Sequence, residues 1–366
     1  MPDTTMPKRV LGRTGLEIGV IGLGTEYLTD RENTIAVVRE ALDHGVNFLD
    51  ALMPMPAYRD NLGAALAGRR AEAVLACHLG GALKNNQWNI TRQPTEAQEF
   101  FEDWLRRLRT DYADIVIITC CDKKEEFERI AAPGGVLDLA GRLVQAGKAR
   151  FIGYSGHKED IARLAIESGV YDVLIQGCNL NWPVKAVGEL CAAQNVGLIG
   201  MKPYAGGEFF HPPYNEFTTP VNAIAYVLDQ PSITSVIPGV STPAQLHDAL
   251  RYLNATAAER DWRPIVDNFS QRLAGTCVYC DHCLPCTAEI PIGQVAKAYR
   301  GLGWGMTYAP DMAAGLADKP GRCTGCGICL DRCPFEVDVP AMMAKAAAAF
   351  APYRPDKPPG DDQREV

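Results

Sequence analysis

The chain has 366 residues, of which 47% are hydrophobic and 22% charged, and its formal net charge is −8. This composition is typical of a globular protein with one large and one small domain, and the acidic balance predicts no nucleic acid partner. No segment approaches the ~20 consecutive apolar residues of a membrane span, and residues 1–9 lack the apolar core of a signal peptide. We therefore expect a cytoplasmic protein with no membrane partner.

From residue 8 onward, short apolar runs alternate with amphipathic segments of helix length, such as residues 95–108. The runs typical of strands are residues 20–22, 46–49, 73–77, 115–118, 149–154, 173–175, 197–200 and 235–237. Regular strand–helix alternation over about 250 residues predicts a (β/α)8 TIM barrel within an α/β fold, which we assign to residues 8–262. The Gly-x-Gly at Gly22 lacks the third glycine and the acidic residue of a dinucleotide-binding fold.

Chemistry in such a barrel gathers where strands end. Polar and soft side chains follow the predicted strands at Asp50, His78, Thr119, Cys120, Cys121, Ser155, His157, Gln176, Cys178 and Lys202. Strand alternation places Cys121 and Cys178 on the same side as His78, so one hypothesis is a metal site or a redox thiol there. The alternative is that both cysteines are small buried apolar fillers.

The end of the chain is dominated by cysteine. Eight of the 13 cysteines form two runs, namely Cys277, Cys280, Cys283 and Cys286, then Cys323, Cys326, Cys329 and Cys333, with Pro334 following the last. Thiolates at this spacing can converge on a small inorganic cluster, which we prefer to a tetrahedral zinc site. These eight cysteines therefore predict two [4Fe–4S] clusters in a small domain over residues 263–348, and residues 349–366 are predicted to be a disordered tail.

The two runs resemble a bacterial-type ferredoxin. In that pattern the fourth cysteine of each run ligates the other cluster. The resemblance therefore implies that Cys333 joins the first run's cluster and Cys286 joins the second, with closure within each run as the alternative.

Several segments, among them "LGRTGLEIGVIGLGT", "GVNFLDA", "GKARFIGYSG" and "VIPGVSTPAQLHDAL", resemble consecutive landmarks of the aldo-keto reductases. With the cysteine-rich tail, the chain is similar to that family's iron–sulfur branch. The resemblance implies a catalytic Asp, Tyr, Lys and His at the barrel mouth and hydride transfer from nicotinamide.

Only one of these four catalytic positions keeps its residue. Asp50 matches the aspartate, whereas Met55 stands at the tyrosine, His78 at the lysine and Thr119 at the histidine. A thioether has no proton to donate. We therefore expect proton handling by Asp50, Tyr58 and His78.

The nucleotide positions are partly kept. Ser155, Gln176, Gly239 and Ser241 match positions that can contact the nicotinamide amide or the phosphates. Gly239 and Gln245, however, stand where relatives that bind the 2′-phosphate carry basic side chains. NAD(P) binding is therefore left open, as are a flavin or an additional metal at the barrel mouth.

The leading hypothesis is an iron–sulfur oxidoreductase, because the chain carries cysteines for two electron-transfer clusters and lacks most of the residues that the family uses for hydride transfer. It would pass single electrons through two [4Fe–4S] clusters between a small organic substrate and an external donor such as a ferredoxin, flavodoxin or reductase. One alternative is an NAD(P)H-dependent carbonyl reductase with a rebuilt acid/base site. The other is a non-catalytic electron-transfer subunit of a larger oxidoreductase.

Overall fold

The computed structural model describes residues 5–84, 87–180, 182–211, 214–263, 266, 275, 277, 283–284, 286–306, 308–333 and 336–354. The chain folds into two compact units, Met1–Trp262 and Arg263–Val366. No helix within the described residues is long and apolar enough to span a membrane.

The strands of the first unit are short and mostly buried. In chain order they are β1 (Lys8–Val10), β2 (Glu17–Gly19), β3 (Leu23–Gly24), β4 (Phe48–Ala51), β5 (Val74–Leu79), β6 (Gly81–Lys84), β7 (Gln87–Ile90), β8 (Ala113–Ile118), β9 (Ala149–Gly156), β10 (Val173–Gly177), β11 (Gly197–Met201) and β12 (Ile233–Ile237). Eight of them form one parallel sheet in the order β3-β4-β5-β8-β9-β10-β11-β12. Parallel bridges of Ile21 with Val236 and of Gly24 with Gly239 join its two edges.

Helices cover the outside of this barrel. They are α1 (Arg31–Asp43), α2 (Pro56–Ala65), α3 (Pro94–Leu108), α4 (Lys124–Ala131), α5 (Val136–Gln145), α6 (Glu159–Glu167), α7 (Lys185–Gln194), α8 (Pro220–Leu228), α9 (Pro243–Leu250) and α10 (Ala257–Arg260). Side-chain caps start several of them. Thr219 accepts a hydrogen bond from the backbone of Asn222, whose side chain in turn accepts one from the backbone of Thr219. This reciprocal pair satisfies two backbone amides where α8 begins.

The strands of the parallel sheet form because most of their residues are apolar on both faces. All six residues of β8 are buried, as expected for a parallel strand with the barrel interior on one side and helices on the other. The predicted (β/α)8 barrel is confirmed. The strand β3 begins at Leu23, and within the predicted residues 20–22 Ile21 forms an isolated parallel bridge with Val236. The β6–β7 hairpin was not predicted, because its short strands interrupt the strand–helix alternation between β5 and α3.

The described part of the second unit is helical. Its helices are α11 (Ile292–Gly303), α12 (Ala309–Leu316), α13 (Ile328–Arg332) and α14 (Val339–Phe350). Val295, Met343 and Phe350 are fully buried in a core that also contacts most of the described cysteines. The ferredoxin-like fold stays a prediction.

The end of the chain differs from the prediction of a disordered tail from residue 349. The helix α14 continues to Phe350, and a 3-10 turn covers Ala351–Tyr353. Residues 355–366 of the predicted tail lie outside the described residues.

Candidate functional site

A cavity of about 800 Å³ opens at the carboxyl ends of the barrel strands. This volume lies within the ~300–1,000 Å³ typical of small-molecule sites. The predicted residues Asp50, His78, Ser155, Gly239 and Ser241 all line it. The barrel therefore brings side chains from β4, β5, β9 and the β12 end to one concave site.

The cavity is lined by a buried carboxylate–imidazole pair. His78 is 3% exposed, and its Nε2 lies 2.9 Å from Oδ1 of Asp50. The other ring nitrogen, Nδ1, is buried and has no hydrogen-bond partner among the residues that the structure describes. Buried polar atoms are nearly always paired, so Nδ1 is the ring atom that can still form a hydrogen bond with a bound ligand.

Tyr58 lies away from the cavity. It is 3% exposed, and its hydroxyl is hydrogen-bonded to Oγ1 of Thr25, while its ring packs edge-on against Trp104 at 5.7 Å. Burial is the main cause that raises the Tyr58 pKa above its usual value. Because the described cavity lining does not include Tyr58, a substrate in the cavity would not reach its hydroxyl.

Of the predicted nucleotide-binding residues, some line the cavity and one lies outside the described lining. Ser155 lines the cavity, where its Oγ accepts a hydrogen bond from the Cys120 amide at 2.9 Å. Ser241 uses both its amide and hydroxyl to bind Oε1 of Gln245, at 2.8 and 2.9 Å. Gln176 is buried and lies outside the described lining, and its Oε1 lacks a partner among the described residues.

The lining residues that had no assigned role in the sequence analysis include Cys120, His157 and Lys202. His157 Nδ1 lies 2.8 Å from Oδ2 of Asp122, which makes a second carboxylate–imidazole pair at the same cavity. Burial raises the Asp122 pKa, but hydrogen bonds and the charge of His157 outweigh it and leave the pKa below its usual value. Burial raises the pKa of the Cys120 thiol to about 11. All three residues lie two or three positions after the end of a predicted strand, and that position was the signal for them.

The predicted group of His78, Cys121 and Cys178 does not converge. All three lie in the part of the chain that the structure describes, where no group of three or more His, Cys, Asp or Glu side chains is arranged to hold a metal ion. Both cysteines are fully buried, and burial raises their pKa values to about 11 and about 12. The structure supports the alternative that they are apolar fillers; a flavin or another metal at the mouth stays a prediction.

Residues 16–216 match the model of the aldo/keto reductase family. The chain belongs to this family. It is 25% identical to an L-galactose dehydrogenase of Arabidopsis thaliana over 67% of this chain and 87% of that one. It is 23% identical to an uncharacterized oxidoreductase of Bacillus subtilis over 68% of this chain and 92% of that one.

Solved aldo-keto reductases share the barrel. The holo form of an aldo-keto reductase from Bacillus halodurans superposes with a TM-score of 0.59 at 22% identity, covering 70% of this chain and 94% of that one. The family match makes the chain an oxidoreductase of the aldo-keto reductase type.

In this aldo-keto reductase the Asp50–His78 pair stands where the family's aspartate and lysine are expected. Met55, at the tyrosine position, is the N-cap of α2 and packs partly buried against the barrel core. Thr119, at the histidine position, is buried, and its hydroxyl donates to the Leu79 carbonyl at 2.8 Å. Of these replacements, only His78 brings a titratable group to the cavity.

In the second unit, Cys286, Cys323, Cys326 and Cys329 line one small cavity. Burial, and then the charges of the other three thiols, raise the pKa of Cys329. Hydrogen bonds, first from the Ile328 backbone and then from Thr287, lower the pKa of Cys326. These four thiols are therefore close neighbours, although no described group is arranged to hold a single metal ion.

Of the other predicted cluster, Cys277, Cys283 and Cys333 belong to or pack against the second unit's core. Cys280 lies outside the described residues.

Proposed function

We propose that this aldo-keto reductase is a nicotinamide-dependent carbonyl reductase in which His78 replaces tyrosine as the proton donor. The observation that carries the proposal is the buried Nδ1 of His78, which has no partner among the described residues, on a ring whose Nε2 is held by Asp50 at the cavity. The sequence analysis named this function as an alternative to the iron–sulfur relay. There Tyr58 and His78 were both expected to handle protons, whereas here His78 alone is the proton donor.

The cavity has features that suit a nicotinamide nucleotide. Its volume of about 800 Å³ is large enough for a ligand of that class. Ser155 and Ser241 offer hydroxyls there, and at Gly206 and Gly207 an added Cβ would meet no atom within 4 Å, so a ligand could approach the backbone closely. A bound dihydronicotinamide would supply hydride to the carbonyl carbon.

The chain itself supplies the proton. Protonated His78 keeps its Nε2 proton on Asp50 and releases the Nδ1 proton to the carbonyl oxygen. Asp50 fixes the ring and stabilises the imidazolium form, which is the role of a carboxylate behind a catalytic histidine. General acid catalysis of this kind contributes roughly 10²–10⁴-fold.

The proposal is tested by following NADH and NADPH oxidation with a panel of aldehydes and ketones. We expect turnover by the wild-type protein and a loss of roughly 10²–10⁴-fold in His78→Gln. The control His44→Gln removes a half-buried imidazole beyond the end of α1 and should leave turnover unchanged. Equal rates in His78→Gln and the wild type would exclude His78 as the donor.

A second candidate is the iron–sulfur electron relay, which the four-cysteine cavity favours. Cys286, Cys323, Cys326 and Cys329 make a donor set of thiols suited to one [4Fe–4S] cluster, and their grouping matches the crossed ligation implied by the ferredoxin resemblance. Such a cluster would exchange single electrons with an external ferredoxin, flavodoxin or reductase, and the small organic substrate would bind at the barrel mouth.

Anaerobic reconstitution with iron and sulfide tests the relay, followed by electron paramagnetic resonance of the reduced protein. We expect Cys326→Ser to lose one of two cluster signals. The matched control Cys191→Ser alters a buried cysteine of α7 and should keep both. Failure of the wild type to take up iron would refute the relay without affecting the carbonyl reductase proposal.

A further inference from the structure

We propose that His157 and Lys202 form an anion-binding corner of the barrel cavity. Its ligand is an anionic oxygen group, either the diphosphate of a dinucleotide or a carboxylate of the substrate. The inference deepens the proposed function, and it rests on that function for the identity of the ligand. The corner itself rests on the placement and charge of the two side chains.

Both residues lie at the ends of strands that are separated by one strand, β10. His157 directly follows β9, and Lys202 directly follows β11. The strand between them, β10, ends at Gly177, which is the register partner of Met201. An added Cβ at Gly177 would lie 3.3 Å from the His157 ring, so the imidazole crosses the end of β10. His157 and Lys202 therefore flank one side of the cavity that both of them line.

The backbone of Lys202 is held in an unfavourable conformation. Its φ is +60°, and Cys120 in the same cavity has a φ of +38°. The carbonyl of Lys202 accepts hydrogen bonds from the Asn179 side chain at 2.9 Å and from the Ala205 amide at 3.0 Å. Strained residues fixed in this way cluster at ligand sites, where the surrounding structure sets the direction of the side chain.

At this corner His157 is paired with Asp122, whereas Lys202 has no ion-pair partner among the residues that the structure describes. His157 binds Asp122 through Nδ1, so Nε2 is the nitrogen left for a ligand. The lining also includes two carboxylates. Asp50 is hydrogen-bonded to His78. Glu26 lies after β3, and β12 stands between β3 and β11. An ammonium and a carboxylate-backed imidazole in a concave site favour anions.

Calorimetric titration of the full-length protein with inorganic pyrophosphate, with malonate and with NADH tests the corner. We expect Lys202→Met to weaken binding of at least one of the two anions tenfold or more, and His157→Gln to weaken the same anion. Lys202→Arg keeps the charge and should keep most of the affinity. The control Lys185→Met removes a lysine of α7 that is 76% exposed and should change nothing.

The two sources of the anion give different results. Parallel weakening of pyrophosphate and NADH identifies the cofactor's diphosphate, and weakening of malonate alone identifies a substrate carboxylate. The corner is refuted if neither anion binds the wild type, or if Lys202→Met and His157→Gln bind both as the wild type does. Intact anion binding without any NADH binding would instead contradict the proposed function. Thermal melting of each variant confirms that it is folded.

Discussion

The Nε2 atom of His78 and the Oδ1 atom of Asp50 lie 2.9 Å apart at the wall of the barrel cavity. Of the four positions that the family resemblance assigns to catalytic groups, these two carry titratable side chains. The pair orients the imidazole, because a carboxylate fixes both the ring direction and the proton on the facing nitrogen.

Asp50→Asn should therefore impair carbonyl reduction without removing His78. We expect kcat to fall about 10²-fold, the lower end of the range for general acid–base catalysis, because the amide neither stabilises the imidazolium nor fixes the tautomer. Steady-state kinetics at saturating cofactor measure the effect. Asp111→Asn, a change of the same kind at an exposed position, is the control. An unchanged kcat in Asp50→Asn would remove the pair from the mechanism.

Tyr58→Phe should affect stability and leave catalysis unchanged. The variant loses the hydrogen bond between the Tyr58 hydroxyl and Thr25, while the Thr25 hydroxyl still donates to the Asp50 carbonyl at 2.6 Å. We expect a loss of about 0.5–1.5 kcal/mol in the free energy of unfolding, measured by urea titration, with kcat within about twofold of the wild type. A large fall in kcat at unchanged stability would restore Tyr58 as a proton donor.

The barrel could be predicted from the sequence because its period is regular. Fully buried strands such as β8 contain continuous apolar runs, here residues 115–118, and β8 is followed by a helix of distinct amphipathic pattern. The β6–β7 hairpin escaped prediction because its eight paired residues interrupt that period between β5 and α3.

The site was less predictable than the fold. Asp50 and His78 could be found because strand ends converge in a barrel, but sequence distance does not reveal burial. Tyr58 lies only three residues after Met55, yet its position in α2 turns its hydroxyl toward Thr25 and away from the cavity. The corner of His157 and Lys202 depends on strand adjacency, which becomes visible only once the order of β9, β10 and β11 is known.

A buried arginine supplies a test of stability against pH. Arg59 has a fully buried side chain that donates to Oδ2 of Asp103 at 2.9 Å and stacks on Trp104 at 4.4 Å. Burial raises the Asp103 pKa, but its hydrogen bonds from Arg59 and Arg107 outweigh this effect and lower the pKa overall. Asp103→Asn should cost about 1.5–3 kcal/mol near pH 7, the value of hydrogen bonds to charged groups.

The sign of the pH effect follows from that lowered pKa. A carboxyl whose pKa is lower in the folded state stabilises the fold above the unfolded-state pKa of about 3.9. This contribution is lost as the pH falls through the folded-state pKa, so the difference between Asp103→Asn and the wild type should shrink below about pH 4. Urea unfolding at several pH values measures it. Asp60→Asn changes a carboxylate that is 50% exposed and should cost less than about 1 kcal/mol; equal costs for both variants would contradict the argument.

Gly63 tests the close packing of α2 on α3. A Cβ at this position would lie 2.2 Å from the Arg107 carbonyl oxygen, so alanine forces the two helices apart. We expect Gly63→Ala to lower the free energy of unfolding by about 1–3 kcal/mol, as overpacking typically does. Gly141→Ala lies in α5 with no atom within 4 Å of the added Cβ and should stabilise by up to about 1 kcal/mol through helix propensity. Thermal unfolding of both variants measures the contrast, and a stabilising Gly63→Ala would show that the helices separate without cost.

Cofactor preference provides the last prediction. Among the described residues that line the cavity, Lys202 is the one lysine or arginine, and the end near Gly239 carries Ser241 and Gln245. Among the described lining residues at that end, the 2′-phosphate of NADPH would find no cationic partner, so NADH should bind at least as tightly as NADPH.

Introducing a guanidinium at that end should reverse the preference. Gln245→Arg should tighten NADPH binding about tenfold or more, because a hydrogen bond between charged groups contributes about 1.5–3 kcal/mol. NADH affinity should change little, apart from the loss of the two hydrogen bonds that Gln245 accepts from Ser241. Gln245→Asn, which loses the same contacts without adding charge, separates the two effects in a fluorescence titration. Tighter binding of NADPH than of NADH by the wild type would mean that another cation reaches the 2′-phosphate.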